Sequence, residues 1–235
     1  FDTVSAALGA SYPVVDELRL GLNLSRASRA PSAQELFANG PHVATSQFEI
    51  GNGELGTESS WGFEGYVRGS IGPVQLNASF YRNRFKGFIY LAATGAAEDG
   101  LPVAMFRQAD ATHTGVEAQA TVPLLERGNF RLSADLRGDW VRATLANGDP
   151  VPRMPPLSLQ AALEAGWNHL DARVAVQRVT GQTRLAPLET PTSGYTMVAL
   201  SLAWHPFEGA ETLTLMLQAD NLLNADAHRH ASFTK

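Results

Sequence analysis

Cysteine is absent from the 235 residues, which removes a disulfide frame, a thiolate nucleophile and any zinc site built on sulfur. Long apolar runs are missing as well. Hydrophobic residues make up 44% of the chain, but they are dispersed, and nothing approaches the roughly 18 uninterrupted apolar residues of a membrane-spanning helix. The most apolar stretch, 195–207, is too short to cross in that form. Charged residues are sparse at 17%, against about a quarter in most water-soluble domains. The net charge of −5 comes without a basic run, so nucleic acid is not expected as a partner. Signatures of common enzymes are lacking too. There is no GxSxG, no HExxH, no P-loop, and no GxGxxG in a strand–helix setting. No serine has an identifiable base and orienting acid, so catalysis is not expected.

What the chain does contain is alternation. Leu18, Leu20, Leu22 and Leu24 are interleaved with Arg19, Gly21, Asn23 and Ser25. Successive side chains of a strand point to opposite sides, so such a segment has one apolar and one wet face. The pattern returns around Val74–Tyr81, Gly115–Val122, Phe130–Trp140, Leu157–Trp167 and Leu170–Gln177. It predicts about ten strands, over 1–9, 17–26, 60–70, 73–91, 104–122, 129–145, 156–167, 169–183, 194–205 and 211–220. Many have ten residues or more, the length that crosses a bilayer when tilted, whereas ordinary globular strands centre on about five or six.

The connections alternate in length. Short turns are expected near 11–16, 71–73, 123–128, 167–169 and 206–210, and longer loops over 27–59, 92–103, 146–155 and 185–193, with another from 221. Short turns on one rim and long loops on the other characterise outer-membrane barrels. Trp61 and Trp140 stand toward the long-loop rim, and Trp167, Trp204 and Phe207 toward the other, as two interfacial girdles. The chain therefore reads as all-β, an antiparallel up-and-down transmembrane β-barrel present in part. A soluble β-sandwich would alternate too, but rarely needs so many strands of this length. The charges Arg131, Asp135, Arg137, Asp139 and Glu164 fit a water-filled lumen and are expected to pair across neighbouring strands. Because Phe1 is not a start residue, the whole of 1–235 is expected to be a piece of something longer.

Particular segments resemble one family. SRASRAPSAQELF at 25–37 is similar to the segment by which TonB-dependent outer-membrane receptors pass from a strand into an outer loop. EIGNGELGTESS at 49–60 resembles the entry to their next strand, with Gly53 and Thr57 where prolines are usual. FKGFIY at 85–90, GVE at 115–117 and NLLN at 221–224 match further family signatures, although Ala227-His228 stands where a tyrosine is common. The matches run in family order over nearly the whole chain. Residues 38–45 and 230–233 look like the zinc-uptake branch. The resemblance implies a barrel of 22 strands, of which this chain is the C-terminal part without its last strand. It also implies partners: the receptor's own plug domain and, through it, the TonB complex, as well as outer-membrane lipid and a small ligand or metal ion.

Transport of a scarce ligand needs a binding site and no bond-making residues. For a divalent metal the donors in a cysteine-free chain must be His, Asp or Glu. His42 with Glu49, both in the longest outer loop, is the best pair, and His228 with His230 follows on the same rim. Two-residue spacing would put both of those imidazoles on one face if the segment is extended. A solvated loop histidine is the competing reading for each. His113, His169 and His205 lie at strand ends and read as structural or interfacial, while Glu98, Asp99 and Asp110 read as loop-solvating carboxylates. No cofactor is expected, since zinc would be cargo. Two other functions compete: a passive porin or adhesion barrel, and an outer-membrane hydrolase.

Overall fold

The computed structural model describes residues 1–207 and 213–232. In chain order it contains β1 (Ala6–Val15), β2 (Leu18–Arg29), α1 (Ala33–Phe37), β3 (Asn39–His42), β4 (Gln47–Ile50), β5 (Glu58–Ile71), β6 (Val74–Glu98) and β7 (Leu101–Arg127). β8 (Phe130–Leu145), β9 (Ser158–Trp167), β10 (Leu170–Val179), β11 (Tyr195–Trp204) and β12 (Leu215–Ala219) complete it. Ten strands form one antiparallel ladder in the order β1-β2-β5-β6-β7-β8-β9-β10-β11-β12, each paired with its neighbour along that path. β1 and β12 are its edges, so the described ladder is an open part of a barrel.

The alternation of the sequence becomes two faces. Leu22, Gly65, Phe80, Val116 and Trp140 fall in one cross-strand row. One residue along each strand, Gly21, Tyr66, Ser79, Glu117, Asp139 and Ser158 form a polar row on the other side. Leu22, Leu24, Leu159 and Leu163 each expose half or more of their surface. A water-soluble fold would bury such a continuous sheet of leucine; lipid is the solvent that accepts it.

The polar face is cross-linked. Asp135 is almost fully covered, and it accepts hydrogen bonds from Arg137 Nε at 2.8 Å, Thr121 Oγ1 at 3.2 Å and Gln119 Nε2 at 3.3 Å. Arg173 on β10 stands 3.7 Å from the same carboxylate and also pairs with Glu164 on β9, while Arg131 pairs with Asp171. Of the pairing expected across neighbouring strands, the Glu164–Arg173 pair is present, whereas Arg137 joins Asp135 along its own strand and Arg131 reaches Asp171 two strands across. Asp139 forms no ion pair among the described residues.

Several boundaries differ from the sequence expectation. The first strand is Ala6–Val15 rather than 1–9, and its turn is confined to residues 16 and 17. The segment 92–103 is not a loop: β6 and β7 continue as a ladder to Glu98 and Leu101. Their two-residue turn has Asp99 at φ 51° and Gly100 at φ 78°. Positive φ at both central residues is the type I′ geometry that Asp-Gly favours. The expected turn over 206–210 and the start of the expected strand over 211–220 lie partly outside the described residues, as does Phe233.

Candidate functional site in the outer loops

The longest loop is organised by a short helix. Ser32 caps α1, its Oγ accepting from the Glu35 amide at 3.2 Å while the Ser32 amide donates to Glu35 Oε2 at 2.7 Å. This reciprocal pair is a capping box. Arg29, at the end of β2, grips Glu35 with two guanidinium nitrogens at 2.8 and 3.0 Å. It also holds buried Glu58 at the start of β5, with two contacts of 3.1 Å. Glu58 in turn accepts from the Ile89 amide at 2.7 Å. One arginine therefore ties together two strands and the loop helix. Burial pushes the Glu35 carboxyl up, but the Arg29 and Ser32 hydrogen bonds outweigh it, so its pKa lies below the usual value.

The segment after β4 docks behind α1. The amide of Gly51 donates to Ala38 O at 2.6 Å and that of Asn52 to Glu35 O at 2.8 Å. A Cβ at residue 51 would stand 2.6 Å from backbone atoms of Leu36, Phe37 and Ala38, so only glycine fits. The two loop motifs at 25–37 and 49–60 are thus halves of one knot, which gives their spacing a physical reason.

That knot folds β3 and β4 back toward the sheet. β8 ends at Leu145 opposite Ala111, leaving the upper edge of β7 unpaired by β8. β4 covers that edge in parallel, Phe48 to Val103, Glu49 to Ala104 and Ile50 to Met105. Below it, Ala111, Ala143, Leu145 and Val151 form a small buried cluster packed by Phe85, Phe88, Tyr90, Ala109 and Met154. His113 packs against the rings of Phe85 and Phe88, with centroids at 4.8 and 4.9 Å.

A cavity of about 350 Å³ opens above this cluster, bounded by the β3–β4 turn, the upper parts of β6 and β7, and the loops 146–157 and 180–194. Gln47, Arg107, Asp149, Arg153, Glu189 and His230 are among its polar groups. Arg153 bridges two of these loops: its amide donates to Glu189 Oε1 at 2.6 Å and its guanidinium to Gln47 Oε1 at 3.1 Å. Burial pulls the Arg153 pKa down, with Glu189 and Glu49 opposing.

Of the four residues singled out from sequence, His42 and Glu49 come together: His42 Nδ1 shares a hydrogen bond with Thr45 Oγ1 at 3.1 Å and stands 3.1 Å from Glu49 Oε1. Glu49 is buried and further accepts from Gln34 Nε2 and Thr45 Oγ1, both at 2.9 Å, whereas His42 leaves 45% of its side chain exposed. His228 and His230 have separate partners. The segment carrying them is not a strand: His228 is exposed and lies 3.0 Å from Asp226, while His230 is buried, 3.3 Å from Thr192 and 3.6 Å from Glu189. Among the described residues no group of three or more His, Asp or Glu side chains converges as a metal cluster. Arg153 and Glu189 escaped the sequence reading because their contact spans 36 residues between separate loops.

Comparison with known proteins agrees with this architecture. A family model described as "TonB dependent receptor-like, beta-barrel" matches residues 1–222. Among solved structures, a "Copper transporter OprC" shares 20% identity at a TM-score of 0.80, covering 97% of this chain and 35% of that one. A ferric enterobactin receptor from Pseudomonas aeruginosa, PfeA, shares 19% identity at 0.64, over 93% of this chain and 34% of its own. The siderophore receptor PirA from Acinetobacter baumannii shares 16% at 0.63, over 93% and 36%. The chain thus spans about a third of the length of these proteins.

Proposed function

Because the chain belongs to the TonB-dependent receptor β-barrel family, a family of outer-membrane transporters rather than enzymes, we propose that it forms part of the barrel of a receptor that captures a scarce metal ion or metal chelate in its outer loops. The rest of the barrel, the plug and TonB would convert that capture into uptake. The observation that carries the metal reading is the His42–Glu49 pair. Nδ1 shares a hydrogen bond with Thr45 Oγ1 and stands 3.1 Å from the buried Glu49 carboxylate, to which Thr45 itself donates; together they hold the ring and leave Nε2 as the coordinating nitrogen, the outer-shell arrangement that metal-binding histidines use. On this reading His42 is the ligand, Glu49 orients it, and the remaining donors come from the cargo itself or from other parts of the receptor.

Zinc is slightly preferred over an iron siderophore or haem, on the strength of neutral imidazole as a donor for a borderline ion. Imidazole also suits copper, the cargo named for one of the structural neighbours. Calorimetric titration of the complete receptor with Zn²⁺ and with Cu²⁺ separates these. Glu49→Gln is expected to weaken the preferred ion by about 10- to 100-fold, and His42→Ala by at least as much. Unchanged affinity in His42→Ala would remove that residue from the site.

A further inference from the structure

The lipid-facing side of the sheet carries a set of cations that neither ligand capture nor the polar lumen uses. On β6, Arg82, Arg84 and Lys86 alternate with Asn83 and Phe85, and all three cations are exposed. Arg82 shares its cross-strand row with Phe63 on β5, Thr114 on β7 and Arg142 on β8. Arg84 shares the next row toward the long loops with Trp61, Thr112 and Thr144. These are the two rows directly above Phe80, Val116 and Trp140, so the guanidiniums stand where the apolar band gives way to headgroups.

A fourth arginine joins them from the loop after β10. Arg184 donates to Ala143 O at 2.7 Å and to Thr144 Oγ1 at 2.8 Å. Burial lowers its pKa, and the charge of Arg142 lowers it further. Among the described residues, none of Arg82, Arg84, Arg142 and Arg184 forms an ion pair with a carboxylate. Asp110, the acidic residue on this face, accepts the Gly87 amide at 2.9 Å. Neighbouring strands are about 4.8 Å apart, so Arg82 and Arg142 flank Thr114 at roughly 10 Å between backbones. Long side chains from both can close on one phosphate, with threonine hydroxyls between them.

The asymmetry across the membrane is the second observation. At the short-turn end, the apolar face from β5 to β11 carries Arg127 as its one charged residue among those described. Cations gathered at one edge of the band, without carboxylate partners among the described residues, select for an anionic headgroup on that side.

We propose that Arg82, Arg84, Arg142 and Arg184, with Thr112 and Thr114, form a binding site for the phosphorylated headgroup of an outer-leaflet lipid whose acyl chains lie on the apolar rows beneath. The lipid is a structural partner of the barrel wall, separate from the transported ligand. Bidentate guanidinium–phosphate contacts supply the orientation, and the apolar rows below hold the chains.

The test uses the complete receptor in phosphatidylcholine nanodiscs, measuring binding of fluorescent lipid A, a bis-phosphorylated glycolipid. The triple variant R82Q/R84Q/R142Q is expected to bind on the order of 100-fold more weakly, about five-fold per arginine. R127Q at the opposite edge should bind as the unmodified receptor does, and R82K/R84K/R142K should fall between that and the glutamine variant, since an ammonium keeps the charge without the bidentate contact. Salt titration of the unmodified receptor should release lipid A, a readout that stands even if the triple variant does not fold. Undiminished binding in R82Q/R84Q/R142Q, an equal loss in R127Q, or salt-independent retention overturns the proposal. Binding of inorganic phosphate as tight as that of lipid A would identify a free-anion site and overturn the lipid assignment.

Discussion

Arg29→Ala unfastens the outer-loop helix while leaving the membrane ladder in place. Arg29 is the shared partner of Glu35 and of buried Glu58. Its removal leaves one buried carboxylate without its cation, a change costing about 3 kcal/mol, the lower end of the usual range because Arg29 is itself partly exposed. The backbone bonds that dock residues 51 and 52 behind α1 then lose their anchor. Hydrogen exchange on the complete receptor should show protection of the Leu36, Ala38, Gly51 and Asn52 amides falling by about 100-fold, with amides of β8 to β10 unchanged. Arg29→Lys should fall between, since an ammonium cannot serve both carboxylates in bidentate fashion. Acid should act in the same direction. Glu35 titrates below its unfolded value of 4.5, so its contribution is fully present above that pH and is lost as pH falls through the lower folded value. Unchanged protection in Arg29→Ala would mean that the knot is held by something else.

Leu163→Arg is the second large effect. Leu163 lies midway along β9 on the apolar face, in a row with Ala134, Val174 and Leu200, and is 52% exposed. A charge there costs about 2–4 kcal/mol near the bilayer midplane. Gln160→Glu, on the polar face of the same strand and opposite Arg137 in register, should stay within about 0.5 kcal/mol. Denaturant unfolding of the receptor refolded into lipid measures both. In a soluble protein Leu163→Arg would be nearly neutral, because half of that side chain already meets solvent. The membrane is what makes it severe.

The ladder was legible wherever one face is buried in lipid and the other is wet. β2, β8, β9 and β10 announce themselves by leucine, valine and alanine alternating with charge, because the lipid imposes a period of two. The upper parts of β6 and β7 were not legible in that way. Residues 91–98 run Leu-Ala-Ala-Thr-Gly-Ala-Ala-Glu, with no alternation because beyond the membrane neither face must be apolar. There the partner strand alone sets the structure, and Asp99-Gly100 was the local signal for it. The small strands β3 and β4 were invisible for a related reason: β4 is held by the free edge of β7 and by the knot around α1, contacts made by distant residues.

The candidate site divides along the same line. His42 and Glu49 are seven residues apart, and the short hairpin between them brings them together. Arg153, Gln47 and Glu189 meet only because three loops converge over one cavity, and no spacing in the sequence encodes that. His228 and His230 show the limit of a local rule. Two-residue spacing aligns side chains only on a strand, and 228–230 is not one.

Everything functional above rests on which face of the ladder meets lipid, and the missing cysteines make that directly measurable. Single cysteines placed by Leu20→Cys, Leu136→Cys and Leu163→Cys on one face, and by Ser79→Cys, Ser133→Cys and Gln160→Cys on the other, can each carry a nitroxide in the reconstituted receptor. Oxygen dissolved in the bilayer should relax the first three labels while a water-soluble nickel chelate does not, and the second three should behave in the opposite way. Leucine-site labels shielded from both agents, as in the core of a soluble sandwich, or a reversal of the two sets, would contradict this assignment of faces.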